Sequence, residues 1–124
     1  MHPTPQQIAG ICRIAHDNSL RGSGRSLREL LEATEYRQLR ADLTEPAIAD
    51  YLASHPDVAS EWSMYSDDKR TSGGWYFVHR DHRWIVGRVE SEPRHDEREY
   101  ESRLEACAHF ILLELDFWAS LSES

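Results

Sequence analysis

The stretch Tyr65–Val89, YSDDKRTSGGWYFVHRDHRWIVGRV, constrains the fold more than any other part of the chain. Two short runs rich in aromatic and β-branched residues, Trp75–His79 and Trp84–Val89, flank a polar interval that contains Asp81-His82. Runs of this length and composition, bounded by polar punctuation, predict two antiparallel strands joined by a tight turn. Asp81-His82 lacks glycine, so the turn type stays open. Strand alternation would put Tyr76 and Val78 on one face and Trp75, Phe77 and His79 on the other. A two-stranded hairpin is not stable alone, so the rest of the chain has to cover one face.

The remaining sequence is patterned for helices. Ile8, Ile11, Cys12 and Ala15 share one face of a segment from Pro5 to about Asn18, with Pro5 near its start. Ser26 followed by Glu29 forms a capping box for a second helix through Leu39, with Leu27, Leu30, Leu31 and Thr34 at core spacing. Thr44 can cap a third, on which Ile48, Tyr51 and Leu52 face inward. His55-Pro56 ends it, because a residue before proline is pushed out of helical geometry. Asp57 can then cap a short helix carrying Val58 and Trp62 inward. From about Asp96 to Trp118, Tyr100, Leu104, Cys107, Ala108, Ile111, Leu112, Leu115 and Trp118 recur at helical spacing, behind an acidic first turn that suits the positive end of a helix dipole.

These elements give an α+β fold: N-terminal helices, one antiparallel hairpin at about residues 75–90, and a long C-terminal helix at about residues 96–118. At 124 residues the chain is one domain, a size that buries roughly two-thirds of its unfolded surface. No window approaches the length of an apolar membrane span. The N-terminus lacks the basic and apolar regions of a signal peptide, which predicts a cytoplasmic protein. Cys12 and Cys107 both sit among apolar helical positions and read as small buried hydrophobes rather than a disulfide.

The formal net charge is −8 and the pI about 5.3. Such a field repels nucleic-acid phosphates and favours cationic partners. His79 and His82, with Asp81 between them, have a metal-like spacing, but no third ligand lies nearby in sequence and neither a metal nor another cofactor is expected. There is no phosphate loop ahead of a helix, no nucleophile elbow and no Cys-His signature, so no catalytic residue is assigned. The one concentrated surface for recognition is the charged stretch entering the hairpin together with its tryptophans. Aromatic and arginine residues side by side have the composition of an interaction hot spot. The candidate partner-binding residues are therefore Asp67, Asp68, Lys69, Arg70, Trp75 and Trp84. Two other readings use different parts of the chain. The Ser66–Gly74 segment with His79 or His82 could serve a small enzyme or a phosphate-ligand binder. The stripe from Tyr100 to Trp118 could drive oligomerisation of a helical adaptor.

The segment Trp62–Phe77, WSMYSDDKRTSGGWYF, resembles small immunity proteins of bacterial polymorphic-toxin and contact-dependent inhibition systems. Tyr65, Ser66, Asp67, Asp68, Lys69, Arg70, Gly74, Trp75 and Tyr76 carry the resemblance, which covers the central third of the chain. It implies a cytoplasmic protein that binds one cognate toxin domain and blocks its active site or assembly. An acidic chain suits a basic nuclease, and toxins of other chemistries are equally compatible.

Overall fold

A computed structural model describes residues 3–14, 27–68, 75–88 and 98–121. Helix α1, Pro5–Cys12, opens on a capping box between Thr4 and Gln7. Thr4 Oγ1 accepts from the Gln7 amide at 3.1 Å, and Gln7 Oε1 accepts from the Thr4 amide at 2.8 Å. The helix is interrupted at Arg13, and Ile14 is helical again. Arg13 still donates its amide to the Ala9 carbonyl, but its ψ of 5° leaves helical geometry. The predicted continuation over residues 15–18 lies outside the described residues, as do Ser26 and the side chain of Leu27.

The predicted second helix is two helices, α2 (Leu27–Ala33) and α3 (Tyr36–Leu39), the latter running into a 3₁₀ turn at Arg40–Asp42. The break falls at Glu35, whose φ of 57° is left-handed. Thr34 prepares it by turning its hydroxyl back onto the Leu30 carbonyl at 2.7 Å. Left-handed backbone costs a non-glycine residue about 1–2 kcal/mol. The return is that the chain after Glu35 docks Tyr36, Arg37 and Arg40 onto the C-terminal helix.

Helix α4 (Glu45–Ser54) is capped as predicted by Thr44, whose Oγ1 accepts from the Ala47 amide at 3.3 Å. It buries Ile48 and Leu52 and half-buries Tyr51. Helix α5 begins at Pro56, with Asp57 in its first turn, and runs through Asp68. It is longer than the short helix predicted, because Val58, Ala59, Trp62 and Ser66 form a continuous buried stripe along it. The Trp62 indole N–H, fully buried, donates to the Cys12 carbonyl at 2.7 Å and ties α5 to the end of α1.

Strands β1 (Trp75–Arg80) and β2 (Arg83–Arg88) form the predicted hairpin. Asp81 and His82 have φ of 52° and 66°. Positive φ at both central residues is the mirror-type turn whose twist matches the flanking strands, so it forms here without glycine. A third strand, β3 (Arg98–Tyr100), pairs antiparallel with β2 and completes a sheet of order β1-β2-β3. The predicted long helix therefore starts later, at Arg103, and α6 runs to Leu121. Two interactions set that boundary, one across the sheet and one within the first helical turn. Tyr100 stands opposite Trp84 in the ladder, and Ser102 Oγ accepts from the Glu105 amide at 3.3 Å.

Helix α6 is the spine of the molecule. Ala106, Cys107, Phe110, Ile111 and Leu115 along it are fully or almost fully buried. The core-facing side of the sheet rests on it through Phe77, stacked on Phe110 at 5.7 Å between ring centroids. Trp62 meets the same Phe110 edge-on at 5.9 Å. The apolar stripe of this helix is thus consumed within the chain. Among the described residues no helix is long and apolar enough to cross a membrane.

Candidate functional site

The structure brings some of the predicted recognition residues together and separates others. Asp67 and Asp68 are the last two residues of α5, not part of a loop. Lys69 and Arg70 lie outside the described residues. Trp75 and Trp84 fall on the same, core-facing side of the sheet, opposite Arg88 and His79 respectively. Both are partly buried and pack against the core. Trp84 lies between three neighbours: Phe77 at 5.2 Å, His79 stacked at 4.4 Å, and the Arg103 guanidinium 6.0 Å from its ring centroid. His79 itself is exposed, so this stack reaches the surface at the tip of the hairpin. Arg103 also donates to the Pro56 carbonyl and Ser60 Oγ, while its Nε is buried with no hydrogen-bond partner.

Ser66, which the sequence places at the head of the charged stretch, is 3 % exposed and accepts from the Phe77 amide at 2.7 Å. Deeper in the core sits a residue that sequence reading missed, Glu114. It is fully buried on α6 and accepts from the Tyr65 hydroxyl at 2.7 Å, the Trp75 amide at 3.0 Å and the Trp118 indole at 3.0 Å. An ionised carboxylate is an acceptor-only group with room for all of them. Burial, and then the charge and hydrogen bond of Glu114, push the Tyr65 hydroxyl well above its ordinary range and keep it a donor. A charged residue inside the apolar stripe of a helix was the available signal, since an unpaired carboxylate is almost never fully buried.

A second polar cluster joins α3 to the far end of α6. The Tyr36 hydroxyl donates to Asp116 Oδ1 at 2.7 Å, and Arg40 Nε donates to the same carboxylate at 2.9 Å. Arg37 donates to the Ala119 carbonyl at 2.8 Å, near the negative end of the helix. Burial foremost, and then Asp116, raise the Tyr36 hydroxyl far above its usual value.

At the other end of α6 the carboxylates are exposed. Glu45 from α4 and Glu105 in the first turn of α6 both act on Tyr100, whereas Glu99 lies on the opposite face of β3 and Glu101 just precedes α6; all four are exposed. Burial raises the Tyr100 hydroxyl, Glu45 and Glu105 push it the same way, and Arg98 opposes them. His109 Nδ1 lies 2.9 Å from Glu45 Oε1, and Arg83 pairs with Glu99 at 2.9 Å. Both cysteines are free and buried, and burial pushes the Cys12 thiol up to about 12 and raises that of Cys107 as well, so neither is a nucleophile near neutral pH. Among the described residues no group of His, Cys, Asp and Glu is arranged to hold a metal ion.

Comparison with protein-family models, with curated proteins and with solved structures gives no match to this chain.

Proposed function

We propose that this protein works by binding another protein: it is an immunity protein that neutralises a bacterial toxin domain by direct contact. The observation that carries the reading is an acidic rim on a chain of net charge −8: exposed Glu45 of α4 and Glu105 of α6 beside Tyr100, with exposed Glu99 on the other face of β3 and Glu101 just ahead of α6. Such a rim steers a basic surface toward itself and speeds encounter. The resemblance of Trp62–Phe77 to immunity proteins supplies the partner class, and a basic nuclease domain is the partner whose charge fits. Asp67 and Asp68, the last two residues of α5, belong to the same negative balance of the chain. The Trp84–His79 stack offers an aromatic contact at the hairpin tip. Its exposed partner ring is the part a toxin can reach, because Trp84 itself is already packed on three sides.

The test is co-expression of the tagged protein with the product of the gene immediately upstream, followed by pull-down, light scattering of the complex and growth rescue. A stoichiometric complex that rescues growth supports the reading. In that complex Glu99→Lys, Glu101→Lys and Glu105→Lys together lower the association rate and flatten its salt dependence, as does reversal of Asp67 and Asp68. A harmless neighbour with no complex sinks the reading. Screening of phosphate ligands against the Ser66–Gly74 segment is then the next step, although Ser66 is already committed to the Phe77 amide.

A further inference from the structure

Strand β1 lies at one edge of the sheet, so its outward backbone groups need partners other than a strand. In a hairpin closed by a two-residue turn at Asp81-His82, Tyr76, Val78 and Arg80 exchange bonds with β2. The amides of Trp75, Phe77 and His79 point the other way. Two of these outward amides donate to buried side chains: Trp75 to Glu114 at 3.0 Å and Phe77 to Ser66 at 2.7 Å. Ser66 is preceded by Tyr65, whose hydroxyl donates to the same Glu114 carboxylate at 2.7 Å. Consecutive residues at the end of α5 are therefore tied to alternate residues at the start of β1, once directly and once through α6.

We propose that Ser66 and Glu114 form a single latch that holds the end of α5 against the outer edge of β1, and that this junction opens as a local unit without unfolding the molecule. Neither link belongs to a helix ladder or to the β1–β2 ladder, so releasing them leaves both intact. The geometry also makes the links interdependent. Tyr65 and Ser66 are adjacent on one rigid helical turn, and Trp75 and Phe77 are on one strand, so one bond cannot lengthen much while the other stays short. Edge strands in soluble proteins need such a cover, and here the cover is made of two side-chain acceptors rather than another strand. The inference is independent of partner binding and stands or falls without it.

Native-state hydrogen exchange of the full chain, followed amide by amide by NMR, tests it in the wild type, Ser66→Ala and Glu114→Gln. Removing a net hydrogen bond speeds opening by roughly tenfold. In Ser66→Ala the amides of Phe77 and Trp75 both speed up by about that factor, while Val78, Ile85 and Ile111 keep their wild-type protection. Glu114→Gln produces the same pattern from the other link. Two results overturn the proposal. Acceleration confined to Phe77 in Ser66→Ala shows two unconnected bonds. Equal acceleration of all five amides shows a general loss of stability with no local unit. Ser66→Ala removes one oxygen from within a helix and retains the fold, so it decides the question even where Glu114→Gln does not fold.

Discussion

Helix α6 carries carboxylates at both ends of its usefulness. Toward its C-terminal half, Glu114 is sealed in the core and Asp116 is half-covered; at its start Glu105, and Glu101 just ahead of it, face water. The chemistry is the same and the consequences differ. In the interior each oxygen of Glu114 has a donor aimed at it, so the residue fixes where α5, β1 and Trp118 meet. Buried polar groups matter chiefly because leaving their partners unsatisfied is expensive. At the rim, pairs such as Arg83–Glu99 exchange freely with water, and both side chains are more than half exposed. Exposed pairs of this kind contribute little to stability and much to the long-range field. The interior carboxylates hold the fold, and the rim carboxylates are available for recognition.

The largest effect expected from that contrast comes from Glu114→Ala. It strands the Tyr65 hydroxyl, the Trp75 amide and the Trp118 indole in an apolar setting and opens a cavity. With about 1–3 kcal/mol for each buried group left unsatisfied, partly relieved by relaxation, the variant loses at least about 3 kcal/mol. Urea denaturation followed by tryptophan fluorescence measures it. A loss below 1 kcal/mol, at unchanged denaturant slope, would show that water reaches these donors and that Glu114 is no hub.

Alkaline unfolding sharpens the same contrast. Tyr36 and Tyr65 are raised above the ordinary tyrosine value in the folded state, mainly by burial and then by Asp116 and Glu114. A group whose folded value is raised contributes its full stability below the unfolded value of about 10, and that stability is lost as pH rises above it. Stability should thus be flat with respect to these two groups below pH 10 and fall progressively above it. Absorbance at 295 nm should show both tyrosines ionising only as the chain unfolds. Tyr36→Phe removes one of the two from this balance. At neutral pH it costs about 1–2 kcal/mol through the lost bond to Asp116, and the alkaline fall becomes shallower. A Tyr36→Phe protein as stable as the wild type at pH 7, with an unchanged alkaline limb, would place the hydroxyl in contact with solvent.

How much of this was legible beforehand follows the range of the interactions. The hairpin was visible because alternation and the polar interval between the strands are local, whereas the turn type, and with it the register, stayed open for want of a glycine at Asp81-His82. Thr44 as a cap was visible for the same reason. The start of α6 was not. Tyr100 stands at helical spacing from Leu104, so the periodic signal runs through a residue that the ladder to Trp84 holds in a strand. The break at Glu35 was hidden because it is justified by Asp116, far along the chain. Glu114 was hidden for a related reason: its donors come from α5, β1 and α6, and no spacing rule links them. Among the proposed contact residues, composition marked Trp75 and Trp84 as aromatic, but only the fold reveals that both lean on the core. Asp67 and Asp68 read as loop because a polar, glycine-containing stretch of sequence follows them, whereas the buried stripe ending at Ser66 carries the helix past them.

The smallest effect on stability, and the most telling for the rim, belongs to Glu99→Gln. It removes one carboxylate and its pair with Arg83, yet the two side chains are 58 % and 56 % exposed. Solvent and salt screen such a pair at a Debye length of about 8 Å, so the stability change should stay below about 0.5 kcal/mol. The same substitution subtracts a negative charge from the rim proposed to steer a basic partner. Its association rate with that partner should fall at low salt and converge with the wild type as salt rises, while dissociation stays the same. A stability loss above 1 kcal/mol would move Glu99 from the recognition side of the comparison to the structural side, alongside Glu114. A rate unchanged at low salt would leave the rim without a steering role, since a long-range field has no way to act that is insensitive to both charge and screening.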